Sequence, residues 1–210
     1  MAIVTISRQF GAGGSSVATA VAAALGVEVV DKFLLVEVAR RLGWPVSAVE
    51  AKSEHAGSFL DTLARSLGSL EPALGAGWMP PFPDPLYDPR QEVIDLTTRV
   101  IIEIAAGDNA VIVGRGASFV LRDRPKLLRV FLWAPRPVRL AVLAARYGWE
   151  TSEAEHRLRQ TDSNRAAYIR QLYHADWQDP ENYDLVLNTA RLGYPKCAEL
   201  ILSAIGDQSN

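Results

Sequence analysis

The sequence predicts an α/β protein, a mostly parallel five-stranded sheet with helices on both faces. Three observations carry this. Short apolar, β-branched runs at 2–6, 27–30, 110–113, 128–133 and 185–187 alternate with longer helix-forming segments. A glycine cluster, Gly11-Ala12-Gly13-Gly14, stands directly after the first run. Polar or glycine residues also follow the later runs: Asp31, Gly114-Arg115-Gly116 and Asn188. Strand–helix alternation demands right-handed crossovers, and in such sheets ligands bind at the carboxyl ends of the strands.

The elements are justified in order. The run VATAVAAAL within 15–25 is a strong helix former, and Gly26 sits where a helix stops. Asp31 offers an N-cap to a helix over 32–42, closed by Gly43 and Pro45. Residues 58–67 have a helical pattern. Residues 68–89 are rich in Gly and Pro, including MPPFPDPLYDP, and predict a mobile loop. Together 44–90 read as an inserted, partly helical lobe of a single domain covering 1–210. An amphipathic helix over 91–106 follows, whose apolar face could bury against a second copy. Pro135 suits the start of the next helix. A long, polar, arginine-bearing helical stretch begins at 152, and a last helix covers 194–205.

Composition narrows the function. The chain has 210 residues, 49% hydrophobic and 22% charged, with a formal net charge of -2. This is ordinary globular composition, with no general reason to expect nucleic acid or a membrane as partner. The start, MAIVTISRQF, has an apolar run of about five residues and no basic region before it, which argues against a signal peptide. The single cysteine, Cys197, rules out an internal disulfide and fits a small apolar residue in a helix. A cytoplasmic protein is expected. His55, His156 and His174 show no ligand spacing, so no protein metal cluster is expected. Charge is concentrated, however. Residues 115–170 hold 12 Lys+Arg against 5 Asp+Glu, a local excess of 7. Such an excess suits an anionic small ligand or a solvated basic face.

The strand-to-helix segment 7–16, SRQFGAGGSS, has the makings of a phosphate loop. Glycines let backbone N–H groups curl around an anion, and the following helix adds its positive end. The usual phosphate loop reads G-x-x-x-x-G-K-[ST]. Here Arg8 holds the first glycine position and Gly14 the lysine position. The alternative is a tight turn that binds nothing.

The opening IVTISRQFGAGGSSVATAVAAALGVEVVDKFLL resembles that of the cytidylate kinase-like proteins, relatives of the nucleoside monophosphate kinases. Later stretches add to the resemblance: AVIVGRGASFVLRD, LRVFLWAPRPVRL, TDSNRAAYIRQLYHADW and YDLVLNT. It covers nearly the whole chain except about 45–90. It implies a P-loop kinase-type three-layer fold, a lid at about 150–178, and ATP with Mg²⁺ as cofactors. It also implies small nucleotides as partners. In the family the loop commonly has Gly in place of lysine, as at Gly14. Where true cytidylate kinases have G-R-D, this chain has Gly114-Arg115-Gly116. Val36 and Glu37 stand where those enzymes carry a Tyr-Arg pair.

The resulting expectations are specific. Gly11, Ala12, Gly13, Gly14, Ser15 and Ser16 cradle phosphate, and the Ser16 hydroxyl lies near Mg²⁺. Phosphoryl transfer needs positioning and positive charge rather than a covalent group on the protein. Arg8, Arg115 and Arg165 are the candidate catalytic cations, with Asp162 orienting a lid arginine or a metal-bound water. Asp31 and Arg115 are candidates for the acceptor. The expected activity is ATP-dependent phosphoryl transfer to a small acceptor, such as the nucleoside monophosphate CMP. The alternative is a nucleotide-binding sensor with little or no kinase activity. Arg157 and Arg159 are about 200° apart on a helix, so both cannot face one site.

Overall fold

The computed structural model describes residues 3–54, 89–107 and 109–207. The helical reading of 58–67, the loop at 68–89 and most of the inserted lobe lie outside the described residues, as does His55.

Five parallel strands form the sheet: β1 (Ile3–Arg8), β2 (Val29–Val30), β3 (Ala110–Val113), β4 (Leu127–Trp133) and β5 (Leu185–Asn188). Their order is β2-β3-β1-β4-β5, so the first strand is central. β1 runs two residues past the expected apolar run, because Ser7 and Arg8 pair with Phe131 and Leu132 of β4. β2 keeps only two of its expected four residues; Val29 and Val30 alone find partners on β3.

Strand alternation sorts the side chains into two cores. Val4 and Ile6 face α1 (Gly14–Leu25) and the last helix, where Val17, Val21 and Ile201 are fully buried. Ile3 faces α2 (Lys32–Leu42), where it joins Leu34, Val38 and, from α4 (Pro89–Ala105), Ile101. The short α3 (Val46–Glu54) adds Val49 to the same core. Most of the apolar face of α4 is taken up within the chain, while Ile102 stays exposed. Each such side chain contributes about 1.5–3 kcal/mol of transfer free energy, and this places the rigid sheet edge that carries the loops.

The remaining elements are α5 (Ala117–Val120), α6 (Arg136–Tyr147), α7 (Thr151–Tyr173), a 3₁₀ turn (Pro180–Asn182), α8 (Thr189–Leu192) and α9 (Tyr194–Asp207). α5, α8 and the 3₁₀ turn were not foreseen, since one turn of helix leaves no periodicity to read. α7 is one continuous helix of 23 residues. Asp31 takes the N-cap position of α2, but its side chain makes no capping bond, and its backbone is away from the usual N-cap region (φ −134°, ψ −80°). The N-cap role expected from composition is thus not taken up. Cys197 is fully buried in α9, and burial pushes its thiol pKa up. Among the described residues no helix is long and apolar enough to cross a membrane.

Candidate functional site

The glycine segment leaves β1 at the carboxyl edge of the sheet. The Gln9 amide donates to Leu132 O (3.0 Å), and Gln9 Oε1 accepts from the Ala134 amide (3.3 Å), so the loop is pinned to β4 from its start. Ala12 N donates back to Gln9 O (3.2 Å), closing the turn. Gly13 is left-handed (φ 75°) and begins α1, whose first turn has no acidic residue and no side-chain cap. A Cβ on Gly13 would fall inside the Tyr194 ring. Among the described residues, no protein acceptor takes the amides of Gly11, Gly13, Gly14, Ser15 or Ser16. Ser15 and Ser16 are exposed. A run of backbone donors at the positive end of a helix is the geometry of an anion cradle.

At the same edge of the sheet lies a cavity of about 220 Å³, joined to the root of the loop through Ser7 and Arg8; Gly11, Ala12, Gly13, Gly14, Ser15 and Ser16 are not among its lining residues. Its wall comprises Ser7 and Arg8 from β1, the Gly114-Arg115-Gly116 turn after β3, and Trp177. α7 adds Arg157, Gln160, Thr161, Asn164, Arg165, Tyr168 and Ile169. Among the described residues, four arginines and no carboxylate line it. The structure therefore brings Arg8, Arg115 and Arg165 to one place. Arg157 lines the cavity and lies over the Trp149 ring, while Arg159 is exposed and outside it, as helix geometry requires. Asp31 does not line this cavity; it follows β2 at the sheet edge, two strands from β1.

The Arg115 turn is unusual. Gly114, Arg115 and Gly116 all have positive φ, at 73°, 56° and 72°. For arginine this costs about 1 kcal/mol, and such strain gathers at functional positions. The flanking glycines make room for other side chains. A Cβ on Gly114 would strike the Arg8 guanidinium, and one on Gly116 would lie 2.9 Å from the Tyr173 ring. Ser118, in α5, donates to Thr5 Oγ1 (2.9 Å) and lies 3.3 Å from Ser7 Oγ, which anchors the turn to β1. Tyr183 Oη donates to Trp177 O (2.8 Å) and also meets Ser7; burial nonetheless pushes its pKa up to about 12. Burial also raises Tyr168, with Arg115 and Arg90 acting weakly the other way.

Asp162 does not project into the cavity. Its carboxylate accepts from the Phe10 amide (2.8 Å) and from Arg139 Nη1 (2.5 Å). Its contact with Arg165, three residues further along α7, is long at 4.0 Å. Arg139 is 7% exposed and also donates to Ala134 O (3.0 Å) and Phe10 O (3.2 Å). Arg165 Nη1 donates to Arg8 O (2.9 Å). α7 is thereby tied to the backbone at Phe10 and at Arg8, and Arg139 of α6 adds a third bond at Phe10 O.

Sequence reasoning missed Arg139, Tyr168, Trp177 and Tyr194. Arg139 stands on an amphipathic helix among other arginines, so nothing in the pattern separates it from a solvated residue. Tyr194 opens the last helix, far in sequence from the loop it covers. Among the described residues no cluster of three His, Cys, Asp or Glu could hold a metal.

Comparison with known proteins agrees with this geometry. The chain is 32% identical over 156 residues to the cytidylate kinase of Thermococcus sibiricus, covering 73% of this chain and 74% of that protein. A crystal structure of a protein from Eubacterium ventriosum superposes with a TM-score of 0.70 at 20% identity, covering 98% of this chain and 99% of that one. Shikimate kinase from Bacteroides thetaiotaomicron superposes with a TM-score of 0.52 at 17% identity, covering 98% of both chains. These two likenesses give the fold, the P-loop kinase type of α/β sheet. The model of the cytidylate kinase-like family matches residues 3–191. With β1, its glycine loop, the arginine turn and α7 all inside that match, the chain belongs to the cytidylate kinase-like family.

Proposed function

We propose that the protein transfers the γ-phosphoryl group of ATP to a small phosphorylated acceptor, a nucleoside monophosphate such as CMP. One observation carries this. A loop with at least five amide donors uncommitted to protein acceptors among the described residues leaves the same sheet edge as a cavity that described residues line with four arginines and no acid, and Arg8 joins the two. A polyphosphate satisfies both halves. The amides of Gly11 to Ser16, with Ala12 shaping the turn, hold the donor phosphates; Arg8, Arg115 and Arg165 neutralise charge as it moves between donor and acceptor. A hydroxyl acceptor would call for a general base, whereas a phosphate oxygen is already anionic and needs none. Arg115 is the residue for the acceptor phosphate. Asp31 at the end of β2 remains assigned to the acceptor's far side, and residues 44–90 to an acceptor-side lobe of a single domain.

The residues present fit Mg²⁺ only as a companion of the nucleotide. Ser16 and its neighbour Ser15 offer exposed hydroxyls at the start of α1, and phosphate oxygens would complete the shell. When bound, the ion neutralises phosphate charge. Asp162 acts by holding Phe10 and Arg139 in this reading, rather than by touching a metal-bound water.

The second reading, a nucleotide-binding sensor, would use the attachment of α7 to Phe10 and Arg8 to report occupancy without catalysis. One experiment separates the two. Nucleoside monophosphates are offered with ATP and Mg²⁺ while ADP release is followed, alongside calorimetric ATP binding. ADP release that depends on one monophosphate supports the kinase. Tight ATP binding with no transfer to any monophosphate would reverse the choice.

A further inference from the structure

We infer that Arg8 and Gly14 have exchanged the two roles that a usual phosphate loop assigns to glycine and lysine. Arg8 supplies, from the strand side, the cation that lysine supplies from the helix side, and Gly14 lacks a side chain because Arg8 lies across it. This deepens the proposed function and rests on a polyphosphate occupying the loop.

The geometry is steric first. Arg8 is the last residue of β1, and strand alternation turns it to the same face as Val4 and Ile6, the face of α1. A Cβ built on Gly14 would lie 2.6 Å from Arg8 Cγ, 3.1 Å from its Cβ and 3.4 Å from its Cδ. The stem of the arginine therefore runs over the position where a lysine would begin. Its head reaches Gly114, where a Cβ would collide with the guanidinium. Two glycines, one on α1 and one after β3, make a trough for a single arginine. A lysine at 14 and an arginine at 8 exclude each other.

The position is also chemically apt. Arg8 lines the cavity, and its stem lies against Gly14 at the start of α1. Its backbone carbonyl is held by Arg165 at 2.9 Å, which fixes the residue from which the stem departs. In a usual loop the lysine reaches the β- and γ-phosphates. A planar guanidinium entering from the opposite side can bridge two phosphate oxygens in a bidentate fork. Written out, the segment from Arg8 to Ser15 is RQFGAGGS. Changing both ends, Arg8→Gly with Gly14→Lys, turns it into GQFGAGKS, which satisfies G-x-x-x-x-G-K-[ST] in full.

The test is a set of five proteins: wild type, Arg8→Met, Arg8→Gly, Gly14→Lys and the double variant Arg8→Gly/Gly14→Lys. Tripolyphosphate and ATP affinities are measured by calorimetry and melting temperatures in parallel; Arg8→Met keeps most of the stem, so it separates charge from packing. The expected result is reciprocal. Arg8→Met and Arg8→Gly each weaken tripolyphosphate binding about 30-fold, the range of a charge-assisted hydrogen bond. Gly14→Lys melts lower and binds about as poorly. The double variant recovers both melting temperature and affinity to within about fivefold of wild type. Unchanged affinity in Arg8→Met overturns the proposal, as does a double variant no better than Gly14→Lys alone. A wild-type protein that binds no tripolyphosphate also overturns it. The proposed kinase activity is judged separately, by ADP release: a protein that binds tripolyphosphate through Arg8 but transfers nothing keeps this inference and loses the other.

Discussion

Arg139 and Asp162 meet at 2.5 Å, and both also bind the backbone of Phe10, one its carbonyl and the other its amide. A single peptide segment of the loop is thus gripped by a buried ion pair that joins α6 to α7. The side chains are 8% and 13% exposed, so neither charge is well solvated once its partner is gone. Arg139→Met should cost about 3 kcal/mol in urea unfolding, because it strands the carboxylate. Asp162→Asn keeps an acceptor for Phe10 and should cost less, about 1–2 kcal/mol. Equal and small losses in both would show that the pair does not hold the loop.

Arg115 should divide stability from activity. Arg115→Lys is expected to lose about 2–4 kcal/mol of transition-state stabilisation in kcat/KM, with little change in Tm. Arg115→Gly should lose activity yet hold or raise Tm, since glycine removes the left-handed strain at φ 56°. A destabilised Arg115→Lys protein with unchanged nucleotide binding would end the assignment of Arg115 to the site.

Gly13 and Tyr194 form a matched pair. Gly13→Ala adds a Cβ into the tyrosine ring and strains a left-handed residue, so a loss of about 3 kcal/mol is expected. Gly26→Ala shares the positive φ but meets nothing within 4 Å, and should cost only about 1 kcal/mol. Adding Tyr194→Leu to Gly13→Ala should recover part of the difference. Urea melts of the four proteins check this; equal losses at Gly13 and Gly26 would remove the role given to Tyr194.

Tyr183 predicts the alkaline limb of stability. Its folded pKa is raised to about 12, against about 10 when unfolded. Between these values the unfolded chain releases a proton that the folded protein keeps, so stability falls as pH rises. One such group contributes a slope of about 1.4 kcal/mol per pH unit across that window. Tyr183→Phe should be less stable at neutral pH, through its lost bond to Trp177, yet show a shallower fall above pH 10. An unchanged slope would mean that Tyr183 is not the group that matters.

Much of the fold was legible in the sequence, for physical reasons. Buried parallel strands must be apolar runs, and the glycine loop and the 91–106 helix carry local signals that survive without tertiary context. The ends were less legible. β2 shrank to Val29–Val30, and β1 grew to include Arg8, because pairing partners rather than composition decide where a strand stops. At the site, Arg8, Arg115 and Arg165 stand out through their motifs. The direction of Asp162 does not: an acid on a polar helix can face a ligand, a metal or another helix, and only the packing of α6 turns it toward Phe10. Arg139 was invisible because burial is a property of the fold and not of its neighbours in the chain.

The central place of β1 has a consequence for how the protein is made. This strand is made before its partners: Val4 pairs with Val111 and Leu128, more than a hundred residues later. Tyr194, which roofs Gly13, emerges later still. Until those partners are made, the apolar strand and the glycine segment lack the neighbours that shape them, and these long-range pairings set a slow closure. On the proposed function, a chain that stops short of Tyr194 would lack the roof over Gly13 and would hold its nucleotide poorly.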